Sequence, residues 1–86
     1  MPTISRFYGI EIGMFYNDHG RAHFHVVYAE FEATFWIDRL VLRSGRLPRR
    51  AEQLVLEWAE LHVDELKENW RRARNSEALA RIEGLA

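Results

Sequence analysis

The chain contains no cysteine. That excludes a disulfide scaffold and every thiolate-based zinc site, and it fits a reducing cytosol. No apolar run approaches the ~20 residues that a membrane span needs, and Met1–Arg6 reads as lacking the apolar stretch of a signal peptide. A cytoplasmic location with no membrane partner is therefore expected. Lysine is almost missing as well: Lys67 is the one lysine among 12 basic residues. The planar guanidinium of arginine forms bidentate contacts to phosphate and carboxylate that lysine cannot copy, although a GC-rich genome produces the same bias. With 12 basic against 13 acidic residues the net charge is −1, so the molecule as a whole is no polyanion trap. Proline occurs only twice, and there is no repeat, linker or low-complexity segment. Eighty-six residues leave space for a single domain, 1–86, and for no second core.

What is present is ordered by periodicity. Ile10, Ile12, Met14 and Tyr16 alternate with Glu11, Gly13 and Phe15, which predicts a half-buried strand over 9–16. Asn17-Asp18-His19-Gly20 has turn chemistry. A second strand is expected over 23–28, and Ala29-Glu30 reads as a tight turn into a third over 31–37. A short fourth strand near Leu40–Arg43 ends at Ser44-Gly45. The period then changes. Pro48 suits a first helical turn, and Ala51, Leu54, Val55, Trp58, Leu61 and His62 recur at helical spacing. Asp64 reads as the N-cap of a second helix, with Leu66 and Trp70 inward and Asn75-Ser76 at its end. The helices are expected near 48–62 and 64–74, and the tail, with Leu79, Ile82 and Leu85, as a short helix or an ordered strap. The fold class is α+β: an antiparallel β-meander of three to four strands, then two α-helices packed on one face.

Three of the four histidines, His19, His23 and His25, fall within seven residues. On a strand, alternate residues share a face, so His23 and His25 point the same way, ~6.6 Å apart at ~3.3 Å rise per residue. Phe24 points oppositely, which places the histidines on the face the helices leave open. Three readings follow. His19, His23 and His25 could divide acid and base roles in RNA cleavage, with Arg21, Arg43 and Arg46 holding the phosphate. The same imidazoles could ligate zinc, with Asp18 or water as the fourth ligand; no helical frame fixes their spacing, and the expectation is no metal and no cofactor. Or His19 caps a turn, His23 and His25 are half-exposed strand residues, and the open face serves a partner. His62 reads as a core or capping residue rather than a ligand.

The ordered string Pro2–Ile10, Met14-Phe15-Tyr16-Asn17-Asp18-His19, His23-Phe24-His25, Leu47-Pro48-Arg49-Arg50-Ala51, Leu56-Glu57-Trp58-Ala59 and Asp64–Trp70 resembles the bacterial domain of unknown function 4160 family over nearly the whole chain. The resemblance implies the small-protein half of a gene pair of the toxin–antitoxin type, partnered by a small cognate protein encoded nearby. Members of that family commonly have a proline pair where Arg21-Ala22 stands, and a glycine near the position of Ala29. The leading expectation is a toxin-like component that targets RNA; the alternative is a non-enzymatic domain that binds a partner through its exposed sheet face or an edge strand.

Overall fold

The computed structural model describes all 86 residues. Strands β1 (Thr3–Phe7), β2 (Ile10–Gly13), β3 (His23–Tyr28), β4 (Phe31–Trp36) and β5 (Leu42–Gly45) form one antiparallel sheet in chain order, followed by helices α1 (Arg49–Leu61) and α2 (Val63–Arg74). The α+β meander-then-helices layout stands, with five strands in place of three to four.

The strand that periodicity missed is β1. Its register with β2 shifts between Thr3 and Ser5, so Ile4 and Ser5 are both buried and the two-residue alternation is lost. Ser5 Oγ is buried there without a hydrogen-bond partner. The β1–β2 turn, Tyr8-Gly9, has positive φ at both positions (50° and 77°). That backbone matches the twist of the flanking strands in a two-residue hairpin. β5 lies about two residues later than expected, because the register on β4 shifts between Thr34 and Phe35. Gly45 closes it at φ 78°, where a Cβ would strike the Glu32 carbonyl.

One apolar cluster fills the space between sheet and helices. Ile10, Ile12, Phe24, Val26 and Phe35 come from the sheet; Ala51, Val55, Trp58 and Ala59 come from α1. Trp58 is fully buried against Phe7 and Phe24, and its indole N–H donates to the Glu83 carbonyl at 2.8 Å. Leu54 is half-buried rather than buried, and Leu61 is exposed because α1 ends there. Asp64 is not an N-cap. α2 begins one residue before it, at Val63, with no side-chain cap, and the Leu66 N–H donates to the His62 carbonyl at 2.9 Å. Asp64 and Glu65 sit in the first turn, where the helix dipole favours negative charge.

The tail is the strap, not a helix. The Ile82 N–H donates to the Ile4 carbonyl (2.8 Å), extending hydrogen bonding beyond β1. The buried Asn69 amide clamps Ala80 from both sides: it donates to the Ala80 carbonyl and accepts from its N–H, each at 2.9 Å. Such a pair satisfies a buried side-chain amide that would otherwise be costly.

Candidate functional site

The β2–β3 connection carries Asp18 back over the start of β3. Two contacts hold its far end: the Ile37 N–H donates to the Ala22 carbonyl (3.1 Å), and Arg21 grips Asp38 with three N–H···O bonds of 2.8–3.1 Å. Gly20 supplies the left-handed backbone at the turn. On β3, His23 faces Trp36 of β4, while His25 lies between Gly13 of β2 and Thr34 of β4.

These elements bring three side chains to one point. His25 Nε2 lies 2.7 Å from Asp18 Oδ2, and His23 Nε2 lies 3.2 Å from the same oxygen. His23 Nδ1 is 2.9 Å from the Arg21 carbonyl. A carbonyl only accepts, so Nδ1 carries the hydrogen and Nε2 is the ring atom turned to Asp18. The expected open placement holds for His25 but not for His23. Trp70 of α2 covers the His23 ring at 5.1 Å between centroids, Trp36 meets it edge-on at 6.0 Å, and its side chain is 5% exposed. α2 therefore reaches the second side of β3 at its first residue, while Trp58 packs on Phe24 on the first. His25 packs edge-on against Phe15 and lines a groove of about 300 Å³ on the outer sheet face, with Phe15, Glu32, Thr34 and Ser44.

His19 is exposed and stands outside this group; Asp18 occupies the place expected of it. The arginines divide. Arg21 and Arg43 both lie over the Trp36 ring, 4.2 and 5.3 Å from its centre. Arg21 is committed to Asp38, whose carboxyl it holds below the usual carboxylate range. Arg43 donates to Thr34 Oγ1 at 3.4 Å, beside the groove. Arg46 stands over Phe31 at the other end of β4 and does not join the cluster.

The family model described as Domain of unknown function (DUF4160) matches residues 9–71. The chain belongs to that family. No curated protein and no solved structure matches it. The DUF4160 match spans β2 to most of α2, and so includes Asp18, His23, His25 and Trp70; it leaves out β1 and the strap.

In this DUF4160 chain Asp18 is recognisable from the sequence only as an optional fourth ligand. The sequence signal for it is its place in the turn just before β3, within reach of that strand's first residues. Helical spacing turns Trp70 inward, but nothing local tells that its indole will roof a histidine. His62 is part of no such centre. Its Nδ1 pairs with Glu65 Oε1 at 2.5 Å, and its ring packs on Trp58.

Proposed function

We propose that this protein is a cytoplasmic, toxin-like component of a two-gene module, that RNA is its target, and that Asp18, His23 and His25 are its working centre. The observation that supports this is their convergence on one carboxylate oxygen at the edge of an open groove. In RNA cleavage by its own 2′-hydroxyl, the 2′-oxygen bonds to phosphorus as the bond to the 5′-oxygen breaks. The step needs a group that takes the 2′ proton, a proton returned to the departing 5′-oxygen by that same group or by water, and a cation beside the phosphate. His25 faces the groove and is oriented by Asp18 behind it. Arg43, held on Trp36 next to Thr34, is the guanidinium best placed for a phosphate. His23, roofed by Trp70 and tied to the Arg21 carbonyl, positions Asp18 and is not a second group on the substrate.

Induced expression with and without the neighbouring gene tests the reading, together with RNA cleavage by the purified protein. Growth arrest and cleavage that disappear in His25→Ala are the expected result. Full activity in that variant overturns it.

A second reading is favoured by one observation. All four residues of β5 are exposed, Val41 and Leu42 are 48% and 41% exposed, and β5 pairs on one side only. An uncovered edge strand is a template for strand addition by a partner. A partner complex that survives His25→Ala but is lost when proline replaces Leu42 would establish this role in its place.

A further inference from the structure

We propose that Asp18, His23 and His25 bind a divalent first-row transition ion of the zinc or ferrous type through one carboxylate oxygen and two Nε2 atoms. This deepens the reading above, since it uses the same centre, but it requires no RNA.

The first argument is donor geometry. The three candidate ligand atoms all lie within 4.8 Å of one another, and the two distances to Asp18 Oδ2 are 2.7 and 3.2 Å. Ligand atoms on a four-coordinate ion, at bond lengths of ~2.0–2.2 Å, stand roughly 3.3 Å apart. Small side-chain rotations reach that arrangement from this one, without moving a strand.

The second argument is the hydrogen inventory. His23 gives its Nδ1–H to the Arg21 carbonyl, so the neutral ring presents an Nε2 lone pair to a carboxylate oxygen. Two acceptors facing each other, one on a ring that is 5% exposed and one on a carboxylate that is 26% exposed, form an unfavourable contact in the absence of a proton or a cation. A cation at the shared point turns all three atoms into ligands. Donation from the remote ring nitrogen to a backbone carbonyl is also how metal-bound histidines are oriented, and here it is in place.

The third argument is selectivity. Two imidazoles and one carboxylate suit zinc, iron, cobalt or nickel and do not suit magnesium or calcium, which take oxygen ligands. Three protein ligands leave coordination positions for water or substrate, as in catalytic rather than structural sites. Trp70 and Trp36 shield the His23 side, while His25 opens toward the groove. An ion held there would lower the pKa of a coordinated water, which would then take the 2′-hydroxyl proton in place of the His25 ring, whose Nε2 would be a ligand.

The test is titration of untagged, chelator-stripped protein with Zn²⁺ and with Co²⁺, by calorimetry and absorption. Saturation at about one equivalent is expected. Asp18→Asn and His25→Ala should each weaken binding at least ~100-fold, taking the upper end of what altered outer-shell partners cost as a floor for a lost ligand. His62→Ala should leave it unchanged, since the His62–Glu65 pair is the competing surface chelate. His23→Ala removes a buried ring and can fail to fold, so the two partly exposed positions carry the test, with circular dichroism confirming their fold. Intense visible absorption from Co²⁺ assigns a four-coordinate, zinc-type centre; weak absorption assigns a six-coordinate, ferrous-type centre. Absence of saturable binding overturns the inference, and so does binding that survives Asp18→Asn and His25→Ala or is lost in His62→Ala. RNA cleavage that persists in stripped protein with chelator present would overturn the ion's part in cleavage and leave the RNA reading standing. One tight equivalent without growth arrest or cleavage would do the reverse.

Discussion

Two clusters of ionisable side chains flank the same helix, and they are built on opposite plans. On the outer surface of α2, Glu68 accepts from Arg71 and Arg72, and Arg71 also grips Glu77. Donors and acceptors match, with Arg71 and Glu77 exposed and Glu68 and Arg72 half-buried. The guanidinium of Arg71, then that of Arg72, holds the Glu68 carboxyl down to about 2. Glu77 is lowered mainly by Arg71, and Arg71 is itself raised by these two carboxylates. Under the other side of the helix, Trp70 roofs a cluster with one carboxylate, two imidazoles and too few hydrogens to join them. A matched, solvated network is closed: it needs nothing more and contributes little to stability. An acceptor-rich, shielded cluster is open, and calls for a proton or a cation. Number of charges does not separate the two; complementarity and burial do.

The sharpest way to break the comparison is to remove one member of each cluster. His25→Ala should reduce RNA cleavage by ~10²–10⁴-fold, the range of a lost general acid–base group, with the fold intact. Arg71→Ala should leave cleavage unchanged. A rate assay on the two variants decides it, and equal losses would remove the distinction.

Trp70→Ala attacks the roof that buries His23. A large-to-small change at this nearly buried position should cost ~3–5 kcal/mol in denaturant unfolding. It should also expose His23 to solvent, readable as faster exchange of its ring protons. Stability within 1 kcal/mol of wild type, on the scale of ordinary surface changes, would mean that α2 does not pack here as described.

Ala29→Gly touches neither cluster but tightens the hairpin that carries His25. Ala29 has φ 51°, a backbone region costing ~1–2 kcal/mol for a residue with a Cβ. Glycine removes that cost and returns roughly half of it in chain entropy. A net gain of ~0.5–1 kcal/mol is expected in the same unfolding measurement.

The smallest effect belongs to the exposed network and is best read against pH. The folded Glu68 carboxyl is held to about 2, below its ordinary 4.5. A lowered carboxylate stabilises the fold above its unfolded pKa, and that contribution fades as pH falls through 4.5 toward 2. Glu68→Gln should therefore lower the melting temperature slightly near neutral pH and by less as pH approaches 2. A difference that is constant with pH would show that the arginines do not set this carboxyl.

Much of the fold was readable because the elements rest on local rules. The two-residue alternation of Ile10 and Ile12 and of Ala33, Phe35 and Ile37 marked their strands, and the helical spacing of Ala51, Val55 and Trp58 marked α1. Local rules failed where register shifts intervened. The bulge at Ser5 hid β1, and the shift beside Phe35 moved β5. Leu61 followed the helical pattern but came at its end, where no neighbour was left to cover it. The strings from Met14 to Trp70 that carry the resemblance to the DUF4160 family lie within the matched residues 9–71, while Pro2–Tyr8 lies outside them.

The site divides in the same manner. Alternation along β3 is a property of the chain itself, so His23 and His25 were bound to stand side by side from the moment that segment became a strand. The turn chemistry of Asn17-Asp18-His19-Gly20 likewise determined that a reversal would precede them. Which turn residue folds back is decided by packing. The anchoring of the loop end at Ala22 and Asp38 turns Asp18 onto the imidazoles and leaves His19 in solvent. Burial of His23 depends on Trp70, 47 positions along the chain. Such a contact carries no periodicity, since its cause is the packing of a helix against a sheet and not the spacing of residues within either.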